Sequence, residues 1–426
     1  MRTSKIGIIG LGYVGMPLAH LFSNRYPVIG YDLSSKRVNE LNLGTDHTLE
    51  ISKEQLESVL KPNDSEENGL FITNVAAELK SCSIYIVTVP TPVTLEHKPD
   101  LSALQMACIT LSNFLEQGDI IIFESTVYPG VTEDYCVPIL EKHSGLIFNK
   151  DFFVGYSPER VNPGDKKHTV DKILKVTSGS TPKTALKIDE LYASVISAGT
   201  YLAPSIKVAE AAKVIENSQR DINIAFINEL SKIFNLMGLD TQAVLKAAAT
   251  KWNFMPFTPG LVGGHCIGID PYYLAEIAQQ HHYNPEIILA GRRMNDSMGH
   301  YVAAEVIKLL TKKSLSPNAC DILVLGIAFK ENCPDARNSK AVDVVRQLQS
   351  YGANVTVVDP WANPDDVLME HGIQTLKIIP VKLFDAIVLT VAHQQFITPD
   401  LTSFLAEGGI IYDVKGILPY PVDGKL

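Results

Sequence analysis

The feature that most constrains this chain is six residues long: Gly10-Leu11-Gly12-Tyr13-Val14-Gly15. A GxGxxG run means little alone. Here a strand-like run, residues 5–9, precedes it and a helix-like run, residues 14–23, follows it. A second strand-like run, residues 28–32, ends on Asp32. That order is the signature of a dinucleotide-binding βαβ unit. Gly10 permits the tight turn, Gly12 lets the backbone approach a pyrophosphate, and Gly15 lets helix pack on strand. The helix N-terminus adds N–H groups and the positive end of its dipole. Asp32 can accept bonds from both ribose hydroxyls and would repel a 2′-phosphate, so NAD is expected over NADP. Arg37 is the one caveat, since a cation nearby could soften that preference.

The alternation continues. Residues 35–43 read as a helix, and 70–73, 84–90 and 119–124 as strands, the pattern of a parallel sheet covered by helices. Residues 152–156 and 173–178 are expected to extend that sheet. From 205 to 237 there is no Gly or Pro, and Pro204 and Gly238 bracket the run, which predicts one long helix. Helical sequence returns at 241–250 and 285–310, separated by a Gly/Pro-rich segment at 255–273. The last part alternates again: strands at 321–329, 354–359, 386–391 and 409–413, a helix at 339–351, and a linker-like break at 316–317.

Composition narrows the function classes. The chain has 426 residues, 46% hydrophobic and 20% charged, ordinary for a globular enzyme of two or three domains at about 150 residues each. A net charge of -10 favours neither nucleic acid nor an anionic membrane surface as partner. No apolar run approaches the ~18 residues of a spanning helix, and the N-terminus leads straight into the glycine motif rather than a signal peptide. Cys82, Cys108, Cys136, Cys266, Cys320 and Cys333 form no CxxC pair, which speaks against a disulfide framework and a zinc site. Free thiols in a reducing, cytoplasmic setting are expected, with no metal.

Gly263-Gly264-His265-Cys266-Ile267-Gly268-Ile269-Asp270-Pro271 is the most unusual segment. Cys266 reads either as a small buried hydrophobe, the common fate of a free cysteine, or as a reactive thiol on a loop. In the long helix, Glu210, Lys213 and Asn217 fall at i, i+3 and i+7, on one face. Their neighbours Ala209, Ala211, Ala212, Val214 and Ile215 are apolar, so Lys213 and Asn217 are candidates for a buried polar site. An ammonium and an amide together can stabilise an oxyanion. His265 reads as a loop hydrogen bonder, Trp252, Phe254 and Phe257 as core or pocket wall, and Tyr272 and Tyr273 as packing. Gly326-Ile327-Ala328-Phe329-Lys330 is not GxGxxG, so no second dinucleotide site is expected.

Several motifs together resemble the UDP-glucose/GDP-mannose dehydrogenase family over essentially the full length. They are GLGYVGMPLA at the start, ESTVYPG at 124–130, YSPERVNPGD at 156–165, KVAEAAKVIENSQRD at 207–221, GLVGGHCIGIDPYYL at 260–274 and AFKENCPDARNSK at 328–340. The resemblance implies an α/β fold: two Rossmann-like doubly wound domains joined by a central helical domain with a long connecting helix. The implied boundaries are 1–203 for NAD binding, 204–316 for dimerisation and the cysteine loop, and 317–426 for the UDP-sugar. It implies Cys266 as nucleophile, Lys213 and Asn217 as oxyanion stabilisers, and Asp270 as acid/base or water-orienting carboxylate. Glu159 becomes a general-base candidate and Thr126 a residue positioning water or cofactor. Cofactor contacts are implied for Gly10, Gly12, Tyr13, Val14, Gly15, Asp32, Arg37, Thr88, Pro90, Thr91, Ser125, Thr126 and Arg337. Substrate contacts are implied for Glu159, Arg160, Val161, Lys213, Asn217, Phe257, Gly260, Gly263, Phe329, Lys330 and Lys415.

Two departures bear on substrate. Ile269, after Gly268, stands where UDP-glucose enzymes commonly carry lysine, and Pro163 stands where a second glutamate is common. Both point to the branch acting on UDP-N-acetylhexosamines, the bacterial enzymes that serve capsule, Vi-type and O-antigen polysaccharides. The expected activity is four-electron oxidation of the C6 alcohol of UDP-GlcNAc or UDP-GalNAc with two NAD, by a homodimer. UDP-ManNAc or UDP-glucose is the alternative substrate. A two-electron dehydrogenase of the 6-phosphogluconate type and a non-catalytic NAD-binding regulator are the rival readings.

Overall fold

A computed structural model describes residues 5–62, 66–94, 96, 98–161, 167–264 and 267–426. The chain falls into two compact units. The first comprises Met1–Glu216 and Tyr272–His281, the second Asn217–Pro271 and His282–Leu426.

The first unit is built on six parallel strands in the order β3-β2-β1-β4-β5-β6. These are β1 (Ile6–Ile9), β2 (Pro27–Tyr31), β3 (Gly69–Thr73), β4 (Ile84–Val87), β5 (Ile120–Phe123) and β6 (Phe153–Tyr156). The strands are apolar without a break because both faces are covered. In β5, Ile120 and Ile122 enter one core cluster while Ile121 and Phe123 enter the other. Helices α1 (Gly15–Ser23), α2 (Ser35–Asn42), α3 (Lys53–Val59), α4 (Ser102–Ser112), α5 (Val137–Ser144) and α6 (Pro182–Ala193) lie between the strands in the chain. Ser34 caps α2 and a Ser52/Gln55 capping box starts α3. One expectation is corrected here. Residues 173–178 do not extend the sheet: β7 (Lys175–Thr177) pairs in parallel with β8 (Thr200–Leu202), forming a separate ribbon. The sheet ends at β6, whose outer edge takes only an antiparallel bridge from Gly155 to Gly179.

Helix α7 (Ile206–Met237) runs 32 residues, as the Gly- and Pro-free stretch predicts, and ends at Gly238 with φ +69. It starts in the first unit and finishes in the second. Helices α8 (Thr241–Ala248) and α9 (Asp270–Gln280) follow, Pro271 occupying the first turn of α9. Residues 285–310 are helical as expected, in two helices, α10 (Glu286–Asp296) and α11 (Met298–Lys312), broken at Ser297.

The second unit holds another parallel six-stranded sheet, ordered β11-β10-β9-β12-β13-β14. Its strands are β9 (Asp321–Leu325), β10 (Asn354–Val358), β11 (Thr375–Leu376), β12 (Phe384–Leu389), β13 (Leu405–Asp413) and β14 (Gly424–Lys425). Helices α12 (Lys340–Ser350) and α13 (Pro364–His371) complete the crossovers on its β9–β10–β11 side. The architecture is therefore α/β, with Rossmann-like sheets at both ends of the chain and helices between them. No helix among the described residues is long and apolar enough to cross a membrane.

Candidate active site

Within the first unit, the glycine loop joins β1 to α1. Gly10 has φ +95, and a Cβ there would meet the Thr88 backbone at 3.1 Å. A Cβ on Gly15 would lie 1.8 Å from the Gly10 carbonyl oxygen, so only glycine allows this helix–strand contact. A Cβ on Gly12, in contrast, would meet nothing within 4 Å. Tyr13 and Val14 are half-buried beside it. Thr88 Oγ1 donates to the carbonyls of Ile9 and Gly10. Asp32, half-buried, accepts the Leu11 N–H at 2.9 Å and the Ser34 N–H at 2.8 Å. Arg37 is turned inward: its Nε donates to the Leu11 carbonyl at 2.8 Å and its Nη2 pairs with Asp46 at 2.8 Å. Its cation is therefore matched by a carboxylate rather than offered to a 2′-phosphate. An open Gly12, a helix N-terminus and a carboxylate at the ribose position fit NAD.

The loops after β4 and β5 are stitched together. Thr91 Oγ1 donates to the Thr126 carbonyl at 2.7 Å and Ser125 Oγ to the Val89 carbonyl at 2.7 Å. Pro90 is exposed. Tyr273, fully buried, donates to the Thr91 carbonyl at 2.8 Å.

Glu159 follows β6. One carboxylate oxygen accepts the N–H groups of Arg160 and Val161 at 2.6 and 2.5 Å. The other is buried without a hydrogen-bond partner among the described residues, 3.8 Å from Lys175 Nζ. Lys175 itself bonds Glu124 at 2.6 Å, and Tyr192 bonds the same carboxylate. Burial raises the Glu124 carboxyl; Lys175 opposes the rise and the Glu159 charge adds to it. Arg160 pairs with Glu216 at 2.7 Å.

Lys213 is buried on α7. One turn earlier, Glu210 is fully buried and accepts the N–H groups of Gly130 and Thr132 at 2.6 and 2.9 Å. Burial pushes its carboxyl up to about 7 against the pull of those bonds. Helix periodicity places Glu210 beside Lys213 but does not reveal the loop it grips.

In the second unit, Asn217 Nδ2 donates to Asp270 Oδ2 at 2.5 Å, both residues buried. Cys266 and His265 lie outside the described residues, as does Pro163. The segment leading to them is stitched to the C-terminal sheet. A Cβ on Gly263 would lie 2.4 Å from the Asn338 carbonyl, and one on Gly264 would lie 2.6 Å from the Phe329 ring. A Cβ on Gly260 would sit 3.1 Å from Lys415 Nζ. Phe329, Lys330, Ser339, Lys340 and Lys415 line a cleft at this end of the sheet. Lysines on its wall suit a diphosphate. Arg337 makes a bidentate pair with Asp335, closest at 2.7 Å. Phe257 and Phe254 are half-buried, but Trp252 is 92% exposed, which corrects its reading as core or pocket wall.

Three family profiles match the chain. The UDP-glucose/GDP-mannose dehydrogenase NAD binding domain matches residues 4–196, the central domain 207–297 and the UDP binding domain 323–420. A UDP-N-acetyl-D-glucosamine 6-dehydrogenase of Pseudomonas aeruginosa is 52% identical, with 98% of each chain covered. An enzyme of the same name from Salmonella typhi is 52% identical over 97% of this chain and 96% of its own. Among solved structures, a UDP-D-ManNAc dehydrogenase from Pyrococcus horikoshii superposes with a TM-score of 0.86 at 30% identity, covering 99% of this chain and 98% of that one. With the open glycine loop and Asp32 after β2 described, the chain belongs to the UDP-glucose/GDP-mannose dehydrogenase family, NAD-dependent oxidoreductases of nucleotide sugars.

Proposed function

We propose that the protein is a UDP-N-acetylhexosamine 6-dehydrogenase, converting the C6 alcohol of UDP-GlcNAc or UDP-GalNAc to a carboxylate. The observation that carries this is the 52% identity, over nearly the whole chain, to two UDP-N-acetyl-D-glucosamine 6-dehydrogenases. The product would be a UDP-N-acetylhexosaminuronic acid for surface polysaccharide. Cys108, Cys136 and Cys320 are buried free thiols, which supports a reducing, cytoplasmic setting.

NAD, when bound, supplies the hydride acceptor, twice per turnover. The chain's own residues do the rest in this reading. A carboxylate takes the C6 hydroxyl proton, and Glu159 supports that role with its unbonded buried oxygen. The Cys266 thiolate adds to the aldehyde carbonyl, forming a C–S bond and a thiohemiacetal, whose oxidation leaves a thioester. Water then breaks the C–S bond, helped by Asp270 or Glu159, and the thiolate returns. The Lys213 ammonium and the Asn217 amide, the latter aimed by Asp270, hold the oxyanions. A homodimer is supported by apolar side chains left exposed in the second unit: Phe226, Ile233 and Met237 along α7, with Trp252 and Ile287 beyond it.

The test is NADH release from the purified protein across UDP-GlcNAc, UDP-GalNAc, UDP-ManNAc and UDP-glucose. Activity on the first or second, and little on the last, is expected. Preferential turnover of UDP-glucose or UDP-ManNAc would overturn the substrate; NAD binding with no turnover of any sugar would favour a regulator.

A further inference from the structure

Where α7 meets α10, the second unit buries a polar cluster that helix packing does not need. Asp221, Asn228 and Asn295 are fully buried and Arg292 nearly so. Arg292 donates to Asp221 and to Asp296, each at 2.6 Å. Asn295 donates to the Asp221 carboxylate at 2.7 Å and to its carbonyl at 2.9 Å. Asn228 completes the chain. One N–H of its amide goes to Asn295 Oδ1 at 2.8 Å and the other to the Gly260 carbonyl at 3.0 Å, while its oxygen accepts the Gly260 N–H at 2.8 Å. Every hydrogen-bonding position of that amide but one lone pair is used, and the network fits one amide orientation.

The cluster reaches the loop through Asn228, which holds both the N–H and the C=O of Gly260. A Cβ at Gly268 would stand 3.8 Å from both terminal nitrogens of Arg292, ordinary van der Waals distance. Burying an ion pair is costly, and apolar residues of equal volume commonly hold helices together as well or better. Apolar residues cannot, however, satisfy the buried N–H and C=O of Gly260. The cluster is thus suited to fixing backbone position beside Lys415 and Phe329, the two side chains packed against Gly260 and Gly264.

We infer that Asn228, oriented by Asn295 and the Asp221–Arg292 pair, is a positioning residue for the sugar-side chemistry, holding the Gly260 backbone beside Lys415. The inference rests on the dehydrogenase reading for its kinetic readout but not for its binding readout.

The test uses the full chain with Asn228→Ala, Asn228→Asp and the double variant Asp221→Leu/Arg292→Met. Melting temperature, NAD affinity, affinity for UDP alone, and kcat and KM are measured for each. Asn228→Ala is expected to lower kcat at least 30-fold, weaken UDP binding at least fivefold and leave NAD affinity within twofold. Asn228→Asp keeps the acceptor for the Gly260 N–H but sets a carboxyl oxygen against the Gly260 carbonyl and Asn295 Oδ1, so it should lose at least as much. The double variant should melt within a few degrees of the parent yet lose at least tenfold in kcat. A double variant with parental kcat and UDP affinity would overturn the inference, and would decide the matter if Asn228→Ala did not fold. If the parent oxidised no nucleotide sugar, the functional reading would fail, and UDP affinity alone would judge the positioning role: unchanged affinity in the variants would sink it.

Discussion

In the first sheet, the glycine after β1 (Gly10, φ +95) donates its N–H to the Tyr31 carbonyl; in the second, the glycine after β9 (Gly326, φ +97) donates to the Val358 carbonyl, each at 2.8 Å. Thr88, after β4, bonds the carbonyls of Ile9 and Gly10; Thr390, after β12, bonds those of Leu325 and Gly326. A carboxylate follows each second strand. Asp32 accepts the Leu11 N–H, and Asp359 accepts the N–H groups of Ile327 and Ala328. The frames match strand for strand, and the difference lies in what fills them. Asp32 stays half-buried with Gly12 open beside it. Asp359 is fully buried and closed over by His393, at 3.0 Å, and buried Ala328 stands where Gly12 would be. Helix α1 starts five residues after Gly10, whereas α12 starts fourteen after Gly326, leaving a long loop that carries Phe329, Lys330 and Arg337. One scaffold thus keeps a dinucleotide cradle in one copy, while in the other the corresponding carboxylate is spent on holding a loop.

Four substitutions can break that contrast. The largest effect is expected at Gly12. Because a Cβ there meets nothing in the chain, Gly12→Val should keep the melting temperature yet weaken NAD binding by about a hundredfold or more, read by calorimetry. Ala328→Val, the counterpart, should do the reverse: a loss of about 1–3 kcal/mol in stability with NAD affinity intact. Equal effects of the two on NAD would erase the distinction. Next come the carboxylates. Asp32→Ala should weaken NAD about 10- to 100-fold with little change in stability. Asp359→Asn should leave NAD affinity alone and destabilise the protein by about 2 kcal/mol. Burial opposes the Asp359 charge, but the His393 contact and the N–H groups of Ala362 and Ile327 outweigh it, leaving a pKa of about 2. Its contribution is present above the ordinary carboxyl value of 3.8 and lost as pH falls through about 2. Denaturation series from pH 5 to pH 2 should steepen for the parent and flatten for Asp359→Asn.

A further effect, read only in the pH profile of stability, concerns Glu210. Its carboxyl titrates near 7 rather than 4.5, so the folded state holds its proton more tightly than the unfolded chain. Its contribution is greatest below 4.5 and falls as pH rises through 7, by at most about 1.4 kcal/mol per pH unit. Glu210→Gln should flatten the stability profile between pH 5 and pH 7. An unchanged slope would mean that another group sets it.

The first sheet is legible in the sequence because its strands are unbroken apolar runs punctuated by glycines. The glycine motif with Asp32 carries even the cofactor. The break in residues 285–310 is not legible, since Ser297 interrupts the helix without Gly or Pro to mark it. Nor is the ribbon of β7 and β8, whose pairing depends on an edge that β6 leaves to a single bridge. Trp252 misleads because a large aromatic near Phe254 and Phe257 suggests a cluster, whereas its neighbours Lys251 and Asn253 are polar and it lies at the surface. The burial of Lys213 and Asn217 on α7 is anticipated by helix periodicity. The Asp221–Arg292–Asn295–Asn228 cluster is not, because its members come together only where helices 71 residues apart in the chain meet.

The most direct measurement is the stoichiometry of NADH formed per UDP-GlcNAc consumed, for the parent and for Cys266→Ala. Two NADH and one uronate per sugar are predicted for the parent, and no uronate for the variant. One NADH per sugar from the parent, or two from Cys266→Ala, would contradict the thiol-mediated four-electron oxidation.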